Sequence, residues 1–200
     1  MSKWNGDILD FGSLPVITPE TAESLGRWKG KELHLEGLIK LSTEAANGLA
    51  KWGGTKFEFE KLRSISPEAA AELAKWGGKS LLLPGLKELT PAVAGNLSKW
   101  KGEILLIDGI RSLSKESAYE IARWKGKELS FRALFDVSLD AVQGLSTWSG
   151  DKLSLEGLIN ITDGVASALA KYKGELRLGD YDDEYKVRKM KEQLEGASGG

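Results

Sequence analysis

The stretch Trp76–Lys99 reads WGGKSLLLPGLKELTPAVAGNLSK, and varied copies of it precede and follow it along the chain. Each of the seven tryptophans lies 24 residues after the one before, and Tyr172 takes the next place in that series. A glycine follows two residues after every one of these aromatic residues. A fixed period of this length indicates one supersecondary unit stacked many times. The tryptophans are Trp4, Trp28, Trp52, Trp76, Trp100, Trp124 and Trp148.

The composition fits a water-soluble repeat protein without disulfides. Of the 200 residues, 41% are hydrophobic and 28% are charged, which suffices for a continuous core under a charged surface. The formal net charge is −1, so no overall field attracts nucleic acid or an anionic membrane. There is no cysteine, and the first residues show neither a signal peptide nor a membrane span. We expect a soluble chain, in a compartment that the sequence does not identify.

A short strand is predicted after each Trp-x-Gly. Apolar residues alternate there with polar ones, as in Leu81 and Leu83, which indicates one buried and one exposed face. A corner with Gly-Leu or a similar pair follows, and a further apolar residue comes three positions later.

A helix is predicted in the second half of each unit. Ser or Thr occupies its N-cap position in every full repeat, where the hydroxyl accepts a hydrogen bond from the first turn. Proline or an acidic residue often follows, and Ala and Leu then form a narrow apolar stripe. The glycine after each tryptophan suits a left-handed helix cap. The N-cap residues are Thr18, Ser42, Ser66, Thr90, Ser114, Ser138 and Thr162.

Stacked units of this kind predict an α/β solenoid. Strands stack about 4.8 Å apart and helices about 8–10 Å apart, so the stack bends into an arc. The expected arc is right-handed, with parallel strands on the concave face and short helices on the convex face.

The repeat resembles a bacterial type of leucine-rich repeat, with the consensus WxGxxLxLxGLxxL[ST]xExAxxLxK over nearly the whole chain. One departure is that the usual asparagine of the family is replaced by an apolar column that includes Leu86 and Ile110. The resemblance implies a binding scaffold and provides no catalytic residues.

The sequence divides into a repeat region and two terminal pieces. Residues 1–178 are predicted to form the leucine-rich repeat solenoid, with about seven full repeats and a partial one. Residues 179–196 read as a charged C-terminal capping helix with Val187, Met190 and Leu194 on one face, and residues 197–200 as a flexible tail. No such cap precedes the first strand. Three interpretations of this end stay open: Asp7 and Asp10 protect the edge strand, the chain was cut from a longer one, or the end pairs with another molecule, as in a homodimer.

The repeated tryptophans are interpreted as structural residues that fill the corner between helix ends. The alternative is an exposed aromatic ladder for sugars or peptides. A residue kept in every unit serves the unit, whereas a binding site needs differences between units. We therefore assign a structural role to Trp28, Trp52, Trp76, Trp100, Trp124 and Trp148.

The variable residues on the exposed strand face are the candidate binding site. The expected surface is acidic toward the N-terminus, apolar in the middle, and small and polar toward the C-terminus. An apolar patch with a polar rim is typical of a protein contact. The alternative is drift on an exposed sheet without a partner. The candidate protein-binding residues are Leu82, Pro84, Ile104, Leu106, Glu58, Glu60 and His34.

Catalysis and cofactor binding find little support in the sequence. One histidine and no cysteine leave no nucleophile with its base, and the glycines are too regular for a phosphate loop. His34 among glutamates is a poor metal site, and we expect no metal or cofactor. The acidic and apolar face argues against nucleic acid, and no membrane association is expected. The sequence thus predicts a non-catalytic scaffold that binds protein or peptide; the alternative is a structural or engineered, consensus-derived scaffold without a natural partner.

Overall fold

The computed structural model describes residues 6–159 and 161–197, with the side chains of Tyr181 and of residues 193–197 left out. Strands and helices alternate along this part of the chain. The strands are β1 Ile8–Asp10, β2 Glu32–His34, β3 Lys56–Glu58, β4 Ser80–Leu82, β5 Ile104–Leu106, β6 Ser112–Leu113, β7 Glu128–Ser130, β8 Asp136–Val137, β9 Lys152–Leu155 and β10 Glu175–Leu178. The helices are α1 Pro19–Leu25, α2 Thr43–Ala50, α3 Pro67–Leu73, α4 Pro91–Leu97, α5 Lys115–Ile121, α6 Leu139–Ser146, α7 Asp163–Leu169 and α8 Tyr181–Ala197.

Eight strands form one parallel sheet in the order β1-β2-β3-β4-β5-β7-β9-β10. Partners lie 24 residues apart from β1 to β9, as for Leu81 and Leu105, so the sequence period is also the strand register. Between β9 and β10 the offset falls to 23, because Leu153 pairs with Leu176. The sheet runs open from β1 to β10, and the predicted α/β solenoid class is confirmed.

A second, smaller ladder follows the corner after the main strands. β6 and β8 pair in parallel, and an isolated bridge joins Val16 to Lys40 in the earlier units. Parallel backbone pairing between neighbouring units therefore continues in places beyond the main sheet, close to the start of the helices.

The predicted helix N-caps are confirmed in all seven repeat helices. The side chain of each Ser or Thr accepts a hydrogen bond from the N–H three residues later, as Ser66 does from Ala69. These bonds satisfy one of the free N–H groups of the first turn, so even helices of seven or eight residues begin at defined positions.

The core lies between the sheet and the helices. The inward strand residues Leu81 and Leu83, the corner residue Leu86 and the helix residues Ala94 and Leu97 are fully buried. Their counterparts in the other inner units are buried in the same way, so one continuous hydrophobic cluster runs through the stack. The opposite side of the sheet carries the alternate side chains, and we call it the open face.

The glycine after each tryptophan does not form a left-handed cap, contrary to the expectation. The residues at the helix C-caps are right-handed helical, and none of these glycines has a positive φ. Instead, the indole ring lies over its own glycine: a Cβ on Gly78 would overlap the ring of Trp76. Glycine is needed in this column because the ring takes the place of a side chain.

Helix α8 closes the C-terminal end of the stack. Val187 is buried and Met190 is partly buried against the core. The Oδ1 atom of Asp183 accepts the backbone N–H of Ile161 at 3.0 Å, and Lys186 Nζ donates to the carbonyl of Ile161 at 2.9 Å. Ala197, predicted as the first residue of the flexible tail 197–200, is instead the last residue of α8, while residues 198–200 and the side chain of Leu194 lie outside the described residues. Within the described chain, no helix is both long and apolar enough to cross a membrane.

Candidate functional site

The centre of the open face is apolar. Leu82 of β4 and Leu106 of β5 are direct partners in the sheet register, and Ile104 lies two residues before Leu106 on the same face. Pro84 extends this group just beyond the end of β4. All four side chains are half-buried. The structure thus brings together the four predicted apolar residues, which we call the central patch: Leu82, Pro84, Ile104 and Leu106.

A network of ion pairs flanks the central patch toward the N-terminus. Lys56 Nζ lies 3.0 Å from Glu58 Oε2 and 3.5 Å from Glu32 Oε2. His34 Nε2 donates to the same Glu32 oxygen at 3.1 Å. Glu58 is the register partner of Leu82, so this network directly adjoins the patch. The sequence prediction of an acidic region missed Lys56 and Glu32, which come from the neighbouring outward column.

The charges in this network support one another. The hydrogen bond from His34, together with Lys56, holds the pKa of Glu32 below its ordinary value. Burial alone would lower the pKa of Lys56, but its pairs with Glu58 and Glu32 outweigh burial and raise that pKa. Glu32 and Lys56 are therefore both charged at neutral pH.

The other predicted acidic residues lie at the corner beyond the strand ends. Glu36 Oε1 is 3.9 Å from His34 Nδ1, at the margin of an ion pair. Glu60 is exposed, and in the described part of the chain its carboxylate forms no ion pair within 4.0 Å. Glu60 is therefore the freer of the two carboxylates at this corner.

A second polar network lies on the C-terminal side of the patch. Ser130 and Ser154 occupy outward strand positions but are only 2% and 1% exposed. Asp108 Oδ1 accepts hydrogen bonds from Ser130 Oγ at 2.5 Å and from the backbone N–H of Arg132 at 3.1 Å.

Two ion pairs extend this second network. Lys152 Nζ lies 2.9 Å from Glu128 Oε1, and Arg132 Nε lies 3.5 Å from Glu156 Oε1. The region predicted as small and polar is thus a charged rim. The charged residues belong to the outward columns before and after Ser130 and Ser154. The serine column taken alone therefore does not predict these charges.

The described tryptophans, Trp28 to Trp148, lie away from the open face, at the corner between helix ends and strands. From Trp28 to Tyr172 the rings form one stacked column, with centroids 5.7–6.0 Å apart and planes within 10° of parallel. From Trp52 to Trp148 the rings are at most 2% exposed, whereas Trp28 is half-buried. Trp100 Nε1 donates to the carbonyl of Trp76, and Trp148 Nε1 to that of Trp124, both at 2.9 Å. Buried rings of this kind offer no surface to a sugar or peptide.

The open face combines apolar side chains with paired charges. Within the described residues, no three His, Cys, Asp or Glu side chains are grouped so as to hold a metal ion. Surface depressions occur elsewhere, for instance one beside α8 lined by Leu176, Tyr185 and Arg188. The main features of the open face are the central patch and the two ion-pair networks beside it.

Comparison with known proteins adds no assignment. No protein-family model matches the chain, and no curated protein sequence matches it significantly.

Proposed function

We propose that the chain is a non-catalytic scaffold that binds a protein or peptide on the open face of its sheet. The observation that carries the proposal is the central patch: four half-buried apolar side chains grouped around the register pair Leu82 and Leu106, with ion-pair networks on both sides. An apolar centre with a polar rim is the usual anatomy of a protein interface.

The energetics favour a partner with apolar anchors. Leu82, Ile104 and Leu106 each keep part of their surface in water, and covering a large apolar side chain contributes up to about 1.5–3 kcal/mol. The flanking pairs at Lys56 and Lys152 orient the partner by charge more than they add affinity. The carboxylates at Glu58 and Asp108 would repel a phosphate backbone, which favours a polypeptide over nucleic acid.

The same proposal includes membership of the leucine-rich repeat class. It is supported by one strand and one short helix per 24 residues, by the parallel ladder and by the inward leucine columns. In such a scaffold the repeated positions build the fold and the variable outward positions select the partner.

The test is a display selection of random peptides against the protein. Peptides that bind the open face should lose binding to a Leu82→Arg, Leu106→Arg variant. A matched control, Tyr119→Arg with Leu139→Arg, changes two exposed apolar residues on the helix layer and should keep binding. Selected peptides that bind both variants equally would refute the open face as the site, and a selection without specific binders would favour a purely structural scaffold.

We also propose that the N-terminal end associates with a second copy of the chain. Leu9, Phe11, Leu14 and Trp28 belong to the inward columns but are only partly buried. Sedimentation equilibrium of the wild type and a Phe11→Lys variant tests this proposal. A dimer that the variant abolishes supports it, and a monomer at high micromolar concentration overturns it.

A further inference from the structure

A second exposed column runs along the edge where the main strands end. Its members lie 24 residues apart, just after the corner and before the helix N-caps, and all are exposed. Backbone hydrogen bonds join three pairs of neighbouring members: Ile39 N–H to the Pro15 carbonyl at 2.9 Å, Lys87 N–H to the Arg63 carbonyl at 3.0 Å and Phe135 N–H to the Arg111 carbonyl at 3.2 Å. We call this column the rim row: Pro15, Ile39, Arg63, Lys87, Arg111, Phe135 and Ile159.

Three consecutive positions of the rim row are basic. Arg63, Lys87 and Arg111 make no ion pair within 4.0 Å to any carboxylate in the described part of the chain. Because neighbouring strands lie about 4.8 Å apart, three positive side chains emerge side by side. Like charges at directly opposed positions destabilise a sheet.

In several other columns, stacked charges of opposite sign form ion pairs between units. Lys31 reaches Asp7 one unit away at 2.8 Å, and Lys127 reaches Glu103 at 2.9 Å in the same column. On the open face Lys152 reaches Glu128 in the same manner. The rim row has three cations in successive units without such a pair in the described chain, so these charges are available to an external anion.

Apolar side chains flank the three basic residues on both sides. Phe135 and Ile159 are 62% and 60% exposed, and Ile39 is 44% exposed. They are among the most exposed large apolar side chains of the described chain, and they stand in the same row as the cations. From Ile39 to Ile159 the row spans about 24 Å, which is five strand spacings.

We propose that the rim row binds an acidic peptide segment with apolar residues at both of its ends. Carboxylates in the middle of the segment pair with Arg63, Lys87 and Arg111, and its apolar ends pack on Ile39 and on Phe135 with Ile159. About seven extended residues match the length of the row, at about 3.3 Å per residue.

The apolar members of the rim row favour a peptide over nucleic acid. The exposed Phe135 and Ile159 at one end of the row have no role in binding a regularly charged backbone. This surface is separate from the central patch, so either proposal can fail without the other.

The test is fluorescence anisotropy with a labelled peptide of about eight residues, with central glutamates and leucine or phenylalanine ends. The triple variant Arg63→Glu, Lys87→Glu, Arg111→Glu should bind it at least about tenfold more weakly than the wild type. Phe135→Ser with Ile159→Ser should weaken binding about threefold or more, because apolar contact is lost.

A matched control reverses three exposed lysines outside the row, Lys29→Glu, Lys101→Glu and Lys125→Glu, and should bind as the wild type does. The Leu82→Arg, Leu106→Arg variant should also keep full binding. Equal loss in the lysine control would overturn the proposal, since it would show attraction by overall charge. Equally tight binding of a single-stranded oligonucleotide would overturn it too, as would self-association that the triple variant abolishes.

Discussion

The two ends of the stack carry the same columns of residues but bury them differently. In the first unit, Leu9 and Phe11 of the strand, Leu14 of the corner and Trp28 are only partly buried. In the last unit Leu176 is also only partly buried, but Leu178 is 7% exposed and Tyr172 1% exposed, and Val187 of α8 packs against the same core. In the described chain the aromatic column thus runs from a half-buried ring, Trp28, to a buried one, Tyr172.

The difference shows that a residue's contribution depends on its neighbours in the stack. Each unit buries its apolar face against the next, so an inner unit has two partners and a terminal one needs a substitute. Helix α8 is such a substitute, and it is attached by polar contacts as well as by Val187. Substitutions at inner and terminal positions test this dependence, and the largest change in the free energy of unfolding is expected at an inner tryptophan.

Trp76→Ala should destabilise the protein by about 3–5 kcal/mol, because it removes a buried ring stacked between two others. Trp28→Ala should cost clearly less, since that ring is half-buried. Urea unfolding followed by far-UV circular dichroism measures both losses. Trp76→Phe is the control for ring volume and should fall between wild type and Trp76→Ala. Equal losses at Trp28 and Trp76 would contradict the position dependence.

The repeated features of the fold could be predicted from the sequence. The period, the inward columns and the N-caps are local signals that recur in each unit, and each occurs in the structure where expected. The role of the glycine after each tryptophan could not be predicted from local signals, because it depends on the position of the indole ring in the folded structure.

The candidate site could be predicted only in part. Leu82 and Leu106 share one outward column, so their contact follows from the period alone. Lys56 lies in the adjacent column, and its pair with Glu58 becomes visible only when both outward columns are aligned. The rim row could not be predicted from strand alternation either, because its members follow the corner, where that alternation has ended.

Asp183→Ala should loosen the C-terminal end by about 1–3 kcal/mol. The substitution leaves the buried N–H of Ile161 without its acceptor, and an unpaired buried donor carries a cost of this size. Hydrogen exchange at the Ile161 amide, with the urea midpoint, measures the effect. Asp183→Asn keeps an oxygen acceptor of the same shape and should lose much less. Unchanged amide protection in Asp183→Ala would show that α8 is held by its apolar contacts alone.

Two helix glycines, one toward each end, provide the smallest and most discriminating comparison. A Cβ on Gly48 of α2 would lie 2.7 Å from the Glu23 backbone N of α1, so Gly48→Ala must push two helices apart. On Gly164 of α7 the nearest atom outside its own unit is a flexible methyl of Leu139 at 3.6 Å, an ordinary contact.

The same glycine-to-alanine change is therefore expected to destabilise the protein at Gly48 and to stabilise it at Gly164. Overpacking at Gly48 exceeds the gain in helix propensity, so Gly48→Ala should lose about 1 kcal/mol. Gly164→Ala should gain about 0.4–1 kcal/mol, because alanine restricts the unfolded chain without strain in the folded one. Thermal and urea unfolding of the two single variants and of their combination measures both values. The sites lie in separate units without a shared partner, so the effects should add. A gain at both positions would mean that α1 and α2 are free to separate, and that the N-terminal helix pair is more loosely held than its close backbone contact indicates.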